Sequence, residues 1–209
     1  MSVEVEPEPP IAAALFGDRI EPARAFAARL GERGEELGLI GPQEPARLWT
    51  RHLLNSAALA PLLRPGRVGD IGSGAGLPGL VLAIARPDVR FVLIEAMERR
   101  VDWLRAESER LSLVNVNVVH ARAEEAGLDG TLDQVTARAV ASLARLVPVA
   151  APLLRRGGEL VLLKGARVGE ELGAADRALR RARARDVEVL ELGAGVLPET
   201  TWVFRATVD

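Results

Sequence analysis

The sequence predicts an α/β protein of the doubly wound type: an open, mostly parallel sheet with helices on both faces and a helical cap at its amino terminus. Three observations carry this. The stretch Arg67 to Glu95, RVGDIGSGAGLPGLVLAIARPDVRFVLIE, reads as strand, glycine loop, helix and strand. From there helical and strand-like segments alternate, and the chain closes on two consecutive strands able to pair antiparallel. Residues 11–63, by contrast, show only helical periodicity, with Ala, Leu, Ile and Phe at mixed spacings of three and four.

The opening MSVEVEPEPP is acidic and proline-rich, so residues 1–10 are expected to form a flexible tail. Helices follow near 11–16, 20–37 and 44–60, broken at Gly17, Gly41-Pro42 and Pro61, and together make the cap over 11–63. In the third of them Arg51, Asn55 and Ser56 fall about one turn apart, and Trp49 lies three residues from His52. That polar stripe faces either solvent or the crevice of the sheet. One nucleotide-type domain then spans 64–209, with strands near 68–71, 90–94, 115–119, 133–137, 159–163, 187–192 and 200–207. Its helices are expected near 77–85, 97–111, 142–154 and 169–183, with Val101, Leu104, Leu111 and Trp103 of the second in the core.

Composition narrows the function. A chain of 209 residues that is 48% hydrophobic suits one sizeable core with a small appendage. The absence of Cys excludes a disulfide framework and a Cys-ligated zinc site, and it removes the thiol nucleophile that carbon-5 cytosine methylation needs. No apolar run approaches the roughly 18 residues of a membrane span, and the expectation is a cytoplasmic monomer. Net charge is −2, but Glu4, Glu6 and Glu8 sit in the tail; without residues 1–10 the balance is 27 bases against 26 acids, or +1. Any nucleic-acid binding must therefore come from local patches, of which Arg177, Arg180, Arg181, Arg183 and Arg185 form one. All basic residues are Arg except Lys164.

The crevice at the carboxyl ends of the strands is where a ligand binds in such a sheet. Gly72, Gly74 and Gly76 let the backbone approach it closely, and Glu95, ending the second strand, is placed for a ribose. Ala123 and Glu124, after the third strand, can face an adenine, with Glu125 as the alternative acid. Arg138 emerges after the fourth strand and Lys164 after the fifth. The pattern Gly74-x-Gly76-x-x-Gly79 satisfies the dinucleotide fingerprint. Asp70-x-Gly72-x-Gly74-x-Gly76, an acid two residues before three alternating glycines, instead resembles the first motif of S-adenosylmethionine-dependent methyltransferases. A nicotinamide-dependent reductase is the weaker reading, because the chain has no Tyr and hence no Tyr-x-x-x-Lys group.

Four pieces in order extend the resemblance: Arg51-His52-x-x-x-Ser56, Asp70 to Gly79, Arg138-Ala-Val-Ala-Ser-Leu143 and Leu163-Lys164-Gly165. With them the chain resembles, from about Leu48 to its end, the small-subunit ribosomal RNA guanine nitrogen-7 methyltransferases, also called the glucose-inhibited division protein B family. The resemblance implies a seven-stranded Rossmann-like methyltransferase sheet, S-adenosylmethionine as cofactor, and a guanosine of small-subunit ribosomal RNA as substrate. It implies Gly72, Gly74, Gly76 and Leu77 at the methionine end, Glu95 at the ribose, Ala123 and Glu124 at the adenine, and Arg138 at the edge shared with the substrate. Arg51, His52, Arg138 and Lys164 are the candidate catalytic residues. The chain departs from the family's common pattern at Leu39 to Pro42, where Asn-Leu-Thr is usual, and at Asn55, where Asp is common.

The chemistry agrees with this substrate. Guanine nitrogen-7 carries a lone pair and no proton at neutral pH, so its methylation needs position and electrostatics rather than a general base. After the fourth strand stands Thr136-Ala-Arg138, with no Asn-Pro-Pro-aromatic segment of the kind that holds an exocyclic amine. Arg51, Arg138 and Lys164 suit a phosphate or the acceptor edge of guanine, while Trp49 and His52 are the candidates to stack on the base. Methylation of a small molecule or a protein is the alternative.

Overall fold

The computed structural model describes residues 4–209. Helices α1 (Ile11–Phe16), α2 (Ile20–Arg33) and α3 (Asn55–Ala57) precede a single sheet of seven strands: β1 (Arg67–Ile71), β2 (Arg90–Glu95), β3 (Val116–His120), β4 (Leu132–Ala137), β5 (Leu154–Lys164), β6 (Arg185–Leu192) and β7 (Thr201–Val208). Between the strands run α4 (Gly79–Ala85), α5 (Glu98–Arg110), α6 (Leu143–Ala150) and α7 (Val168–Arg181). The strand order is β3-β2-β1-β4-β5-β7-β6, parallel through β5, with β7 antiparallel to both β5 and β6. Chain direction across the sheet reverses at β1, where Ile71 is in register with Ile94 of β2 and Ala137 of β4. The loops leaving these three strands therefore meet at one switch point.

Two apolar layers hold the sheet. On one face Phe91 and Leu93 pack with α4 and with Phe16, Phe26, Leu30, Leu48, Leu53 and Leu54 of the amino-terminal helices. On the other, Val92, Ile94, Val135 and Leu162 pack with Leu143, Val147, Ala175 and Leu179 of α6 and α7. The helical cap is thus an outer layer continuous with one core. This explains the unbroken apolar run of α4, whose residues Gly79 to Ile84 are all buried because sheet and cap cover opposite sides of it. Its carboxyl end is closed by Asn115, whose side-chain amide donates to the carbonyls of Ala83, Arg86 and Val89 at 3.1, 3.2 and 3.0 Å. No helix of the described residues is long and apolar enough to cross a membrane.

The local structure differs from the sequence expectation in three places. Residues expected to be a flexible tail are fastened to the cap. The Glu6 N–H donates to the Pro45 carbonyl at 2.9 Å, the Glu6 carboxylate accepts the Thr50 N–H at 2.9 Å, and Glu8 takes the Arg24 guanidinium at 2.8 Å. Residues 1–3 lie outside the described residues. The helix expected to reach residue 37 ends at Arg33, since Gly38, at φ 60°, and the Gly34 carbonyl, which accepts from Leu39, turn the chain back. The helix expected over 44–60 is instead a 3₁₀ turn at Pro45–Arg47, a π-helical stretch at Leu48–Leu54 and the single turn of α3. Wide π turns of this kind recur at functional sites, and Arg51 and His52 lie in it.

A buried polar knot joins cap and sheet at the end of the strands opposite the crevice. Gln134, with no exposed surface, donates to the Leu62 carbonyl at 3.0 Å and to Glu159 at 2.9 Å, and accepts the Arg64 N–H at 2.8 Å. Glu159 in turn holds Arg205 at 2.8 Å and Arg64 at 3.2 Å. Gln134→Leu keeps the volume but strands these partners, and it should lower unfolding free energy by about 2–4 kcal/mol. Urea melts followed by circular dichroism measure it, and a loss below about 0.5 kcal/mol would show that the knot is dispensable.

Candidate cofactor and substrate site

The glycine loop is built around Asp70, the penultimate residue of β1, which has no exposed surface. Its Oδ2 accepts the Gly79 N–H at 3.0 Å, and its main-chain carbonyl accepts the Ser73 hydroxyl at 2.9 Å. The other carboxyl oxygen, Oδ1, has no partner among the described residues. A Cβ on Gly79 would collide with this carboxyl and with Leu93, so helix and strand can approach this closely only with glycine there. The turn is further held by the Gly72 N–H on the Ile94 carbonyl, at 2.8 Å, and by the Trp103 indole N–H on the Ala75 carbonyl, at 3.0 Å. Gly72 and Gly74 stand at φ 65° and 54°, conformations that side chains oppose.

Three adjoining cavities open along the carboxyl ends of the strands. The first, about 510 Å³, is walled by Gly72, Gly74, Leu77, Glu95 and Arg138 and roofed by the cap residues Ile40, Glu44 and His52. The second, about 220 Å³, shares Gly72, Glu95 and Val140 with it and adds Ile94, Ala123, Glu124 and Leu146. The third, about 380 Å³, shares Arg138 with the first and is lined by Arg51, Asn55, Lys164, Glu171, Glu199 and Trp202. Glu95 stands between the first two. Its Oε2 accepts the Gly74 N–H and its Oε1 the Met97 N–H, both at 2.9 Å, which aims the carboxylate along the loop and leaves further lone pairs open.

Arg138 separates the first cavity from the third. It follows β4 and is tied to β5 by a parallel bridge to Leu163. Its guanidinium donates to the His52 ring at Nδ1, 2.5 Å, to the His52 carbonyl at 3.4 Å and to the Ser56 hydroxyl at 3.5 Å. His52 Nε2 lies 2.5 Å from the Glu44 carboxylate. Arginine has donors only, so Nδ1 must accept, and the ring proton sits on Nε2 and is donated to Glu44. His52 is accordingly neutral. Burial, reinforced by the Arg138 charge, pushes it down to about 4. Burial, reinforced by Arg51, pushes Arg138 down to about 10, where it remains cationic at neutral pH.

Most sequence-chosen residues meet here, but several have different surroundings from those expected. Lys164 is not presented to solvent; its side chain is 8% exposed, and Nζ binds Glu171 at 2.8 Å and donates to the Ala141 carbonyl at 2.9 Å. Glu171 also accepts the Leu143 N–H at 2.7 Å, so the pair fastens α7 to the loop after Arg138. Gly76 is not part of the lining of these three cavities; at φ 94° it carries the turn, and a Cβ there would meet Leu80 at 2.5 Å. Trp49, expected to stack on a base, is buried edge-on against Phe16 with ring centroids 6.5 Å apart. His52, 7% exposed and occupied at both nitrogens, is not free to stack either. Arg51 is half exposed, 3.5 Å from Glu44, on the rim of the third cavity. Arg177, Arg181 and Arg183 border a separate groove that shares no residue with these cavities, while Arg180 and Arg185 pair with Asp176 and Asp209.

Sequence reasoning missed Glu44, Val140, Glu171 and Trp202. Glu44 is eight residues from His52 across an irregular turn, and no periodicity links them. Trp202 is set in the third cavity by its register opposite Lys164, on strands far apart in sequence. Asn55 and the segment Leu39 to Gly41, where the chain departs from the family's common pattern, both lie at the site. Asn55 accepts the Thr201 hydroxyl at 2.9 Å, and Leu39, Ile40 and Gly41 line the first cavity.

Two buried groups of the site pull stability in opposite directions with pH. Burial raises Asp70 to about 7, so its contribution is complete below its ordinary value of 3.8 and is lost as pH climbs through 7. His52 is depressed from 6.5, so its contribution is complete above 6.5 and is lost as pH falls through 4. Between about pH 4 and 6.5 the folded chain holds the Asp70 proton and the unfolded chain the His52 proton, and the two slopes cancel. Relative to the unmodified protein, Asp70→Asn should therefore gain a rising slope of up to about 1.4 kcal/mol per pH unit, and His52→Gln a falling one. Denaturant melts at several pH values in that window test this; parallel profiles for all three proteins would show that neither group is shifted.

Comparison with known proteins accords with this geometry. The family model for GidB, rRNA small subunit methyltransferase G, matches residues 19–198. The chain is 62% identical over 204 residues to a ribosomal RNA small subunit methyltransferase G of Clavibacter michiganensis subsp. michiganensis, covering 98% of this chain and 97% of the relative. It is 61% identical over 208 residues to that of Leifsonia xyli subsp. xyli, covering 100% of both. Among solved structures the fold resembles a SAM-dependent methyltransferase from Aquifex aeolicus, with TM-score 0.58 and 20% identity over 79% of this chain and 94% of that one. It also resembles a predicted O-methyltransferase from Agrobacterium tumefaciens, with TM-score 0.59 and 19% identity over 76% and 81%. A seven-stranded sheet of this order, a glycine loop held by a buried acid, and a match over nearly the whole chain place the protein in the ribosomal RNA small subunit methyltransferase G family.

Proposed function

We propose that the protein, as a cytoplasmic monomer, transfers a methyl group from S-adenosylmethionine to nitrogen-7 of a guanosine in the RNA of the small ribosomal subunit. The observation that carries the target atom is Arg138, a cationic wall shared by the cofactor cavity and the cavity of Lys164 and Trp202, with a neutral and fully engaged His52 behind it. Both ring nitrogens of His52 are engaged, so this imidazole has no lone pair free to take a proton at the boundary. A nucleophile that carries no proton suits such a site, and guanine nitrogen-7 is one.

The residues present fit the cofactor. A Cβ on Gly74 would meet only the Gly72 carbonyl oxygen, at 3.7 Å, and would otherwise project into the space a ligand needs. Gly72, Gly74 and Leu77 would hold the methionine end, Glu95 the ribose hydroxyls, and Ala123 with Glu124 the adenine, in the small apolar cavity beside Ile94 and Leu146. When bound, S-adenosylmethionine supplies an electrophilic methyl group on a sulfonium. The chain's own work is placement: the glycine loop and Glu95 fix one reactant, and Trp202, Arg51 and Arg138 border the cavity for the other. Trp202 replaces Trp49 as the residue able to stack on a base.

The direct test incubates the pure protein with labelled cofactor and small subunits lacking the modification, then maps the product by reduction and aniline scission, which reports N7-methylguanosine. Label that enters RNA without a scission site would assign a different atom. Gly74→Val, strained at φ 54° and filling the cavity, should abolish cofactor binding by calorimetry on folded protein; wild-type affinity in that variant would remove the loop from the cofactor site. Single-turnover transfer should also be flat from roughly pH 6 to 9, and a log-linear rise across that range would mean that a proton is removed and that nitrogen-7 is not the nucleophile.

A further inference from the structure

Glu44 belongs to no glycine loop and to none of the motifs by which the chain is recognised, yet it stands at the end of the hydrogen-bonded path that runs from the cap through the His52 ring to Arg138. We infer that Glu44 is a positioning residue for methyl transfer: its carboxylate fixes His52 as the Nε2–H tautomer, and the Nδ1 lone pair then aims the Arg138 guanidinium at the boundary of the cofactor and substrate cavities. The inference rests on the reading of these cavities given above. Three features of the geometry carry it.

The first is hydrogen-bond direction. An isolated imidazole can carry its proton on either nitrogen, and with the proton on Nδ1 it would present a donor to the guanidinium donors. The Glu44 carboxylate at 2.5 Å from Nε2 accepts only, which selects the one tautomer able to hold Arg138. The second is the backbone. The His52 carbonyl also accepts from Arg138, at 3.4 Å, so the π-helical stretch offers ring and carbonyl to the same guanidinium. The third is the way Glu44 is itself held. Arg47, at 3.1 Å, and Arg51, at 3.5 Å, flank its carboxylate, so the acid is fixed in place and remains an anion. The groups facing the His52 ring are thus Glu44, Arg51 and Arg138, and Glu199, in the third cavity, adds its charge to Arg138.

A neutral imidazole orients Arg138 without neutralising it. A carboxylate in the same place would form an ion pair and use up the charge that the site presents. The His52–Glu44 pair separates the two tasks: the acid sets the tautomer from one residue away, and the guanidinium meets only neutral acceptors.

The experiment joins spectroscopy to kinetics. Nitrogen-15 imidazole spectra of the wild type should show His52 as the Nε2–H tautomer at pH 7, and Glu44→Ala should lose that signature. In single-turnover transfer to small subunits, Glu44→Ala should be slower on the order of 10- to 100-fold, the scale of a misplaced reacting group, and Glu44→Gln, whose carbonyl still accepts from Nε2–H, should recover most of the rate. Glu44→Ala combined with Arg138→Ala should be no slower than Arg138→Ala alone, because the acid acts only through the arginine. An Nδ1–H tautomer in the wild type, an unimpaired Glu44→Ala, or additive losses in the double variant would each overturn the inference. A wild-type enzyme that leaves guanine nitrogen-7 unmethylated would overturn the functional reading and this inference together, whereas an active wild type with an equally active Glu44→Ala overturns the inference alone.

Discussion

The site depends on one hydrogen bond, from the Gly79 N–H to the buried Asp70 carboxyl. It joins the end of β1 to the start of α4 and so fixes where the loop between them must double back. Everything that lines the cofactor cavity on that side follows from it. Gly72 and Gly74 take left-handed conformations because the loop has to leave β1 and return within a few residues, and Gly79 is glycine because any side chain would strike the carboxyl that holds it. Burial makes the acid costly as an anion, and one oxygen is left without a partner. The rigid loop that results offers its backbone to a ligand already in place, so that little ordering remains to be done on binding.

That much was legible in the sequence, because it is local. The glycine spacing, the acid before it and the second strand ending in Glu95 all lie within one strand-loop-helix-strand unit, and the parallel pairing of β1 with β2 follows from its length. Residues whose meaning depends on distant packing were read less well. Lys164 stood out as the sole lysine and as a candidate for a phosphate or the acceptor edge of guanine; it does line the third cavity, but its position at the end of β5 also pairs it with Glu171 of α7, which the sequence did not show. Trp49 shared a stripe with His52 only if the segment were a regular α-helix. The π-helical stretch turns Trp49 inward onto Phe16 and leaves His52 over the crevice. Glu6 was read as part of a solvated tail from composition, and composition cannot show that Thr50 and Pro45 would bind it.

The helical layer also has a different standing from the one its sequence suggests. It looks like an appendage, because its periodicity ends before the first strand. Yet α4 is apolar on every side, and a helix of that kind needs cover on both faces. The cap supplies that cover and, from the same packing, brings Ile40, Glu44 and His52 over the cofactor cavity. Stability of the sheet and closure of the site are therefore properties of one interface, which also links cap and sheet at the far end through Gln134.

The charges around the boundary decide what it can hold. Lys164 is matched by Glu171, and Arg51 lies near Glu44, but the three hydrogen bonds of Arg138 go to a ring nitrogen, a carbonyl and a hydroxyl. None of these partners is an anion, so the charge is not consumed in a hydrogen-bonded ion pair, although Glu44 and Glu199 act on it from farther off. Beside a sulfonium, or beside a guanine that becomes cationic as nitrogen-7 is methylated, such a cation would be repulsive unless it faced something else. The partners that suit it are anionic: the carboxylate at the methionine end of the cofactor, or a phosphate of the RNA strand. Arg138 lines both cavities, so under the proposed reading the first would reach it from one side and the second from the other. A guanidinium serves such a place better than an ammonium, since its planar fork can bond in two directions while its remaining donors stay on His52. The neutral imidazole behind it is then a requirement of the electrostatics: a holder with its own negative charge would weaken both anionic contacts, and one with a positive charge would expel the arginine from the wall it forms.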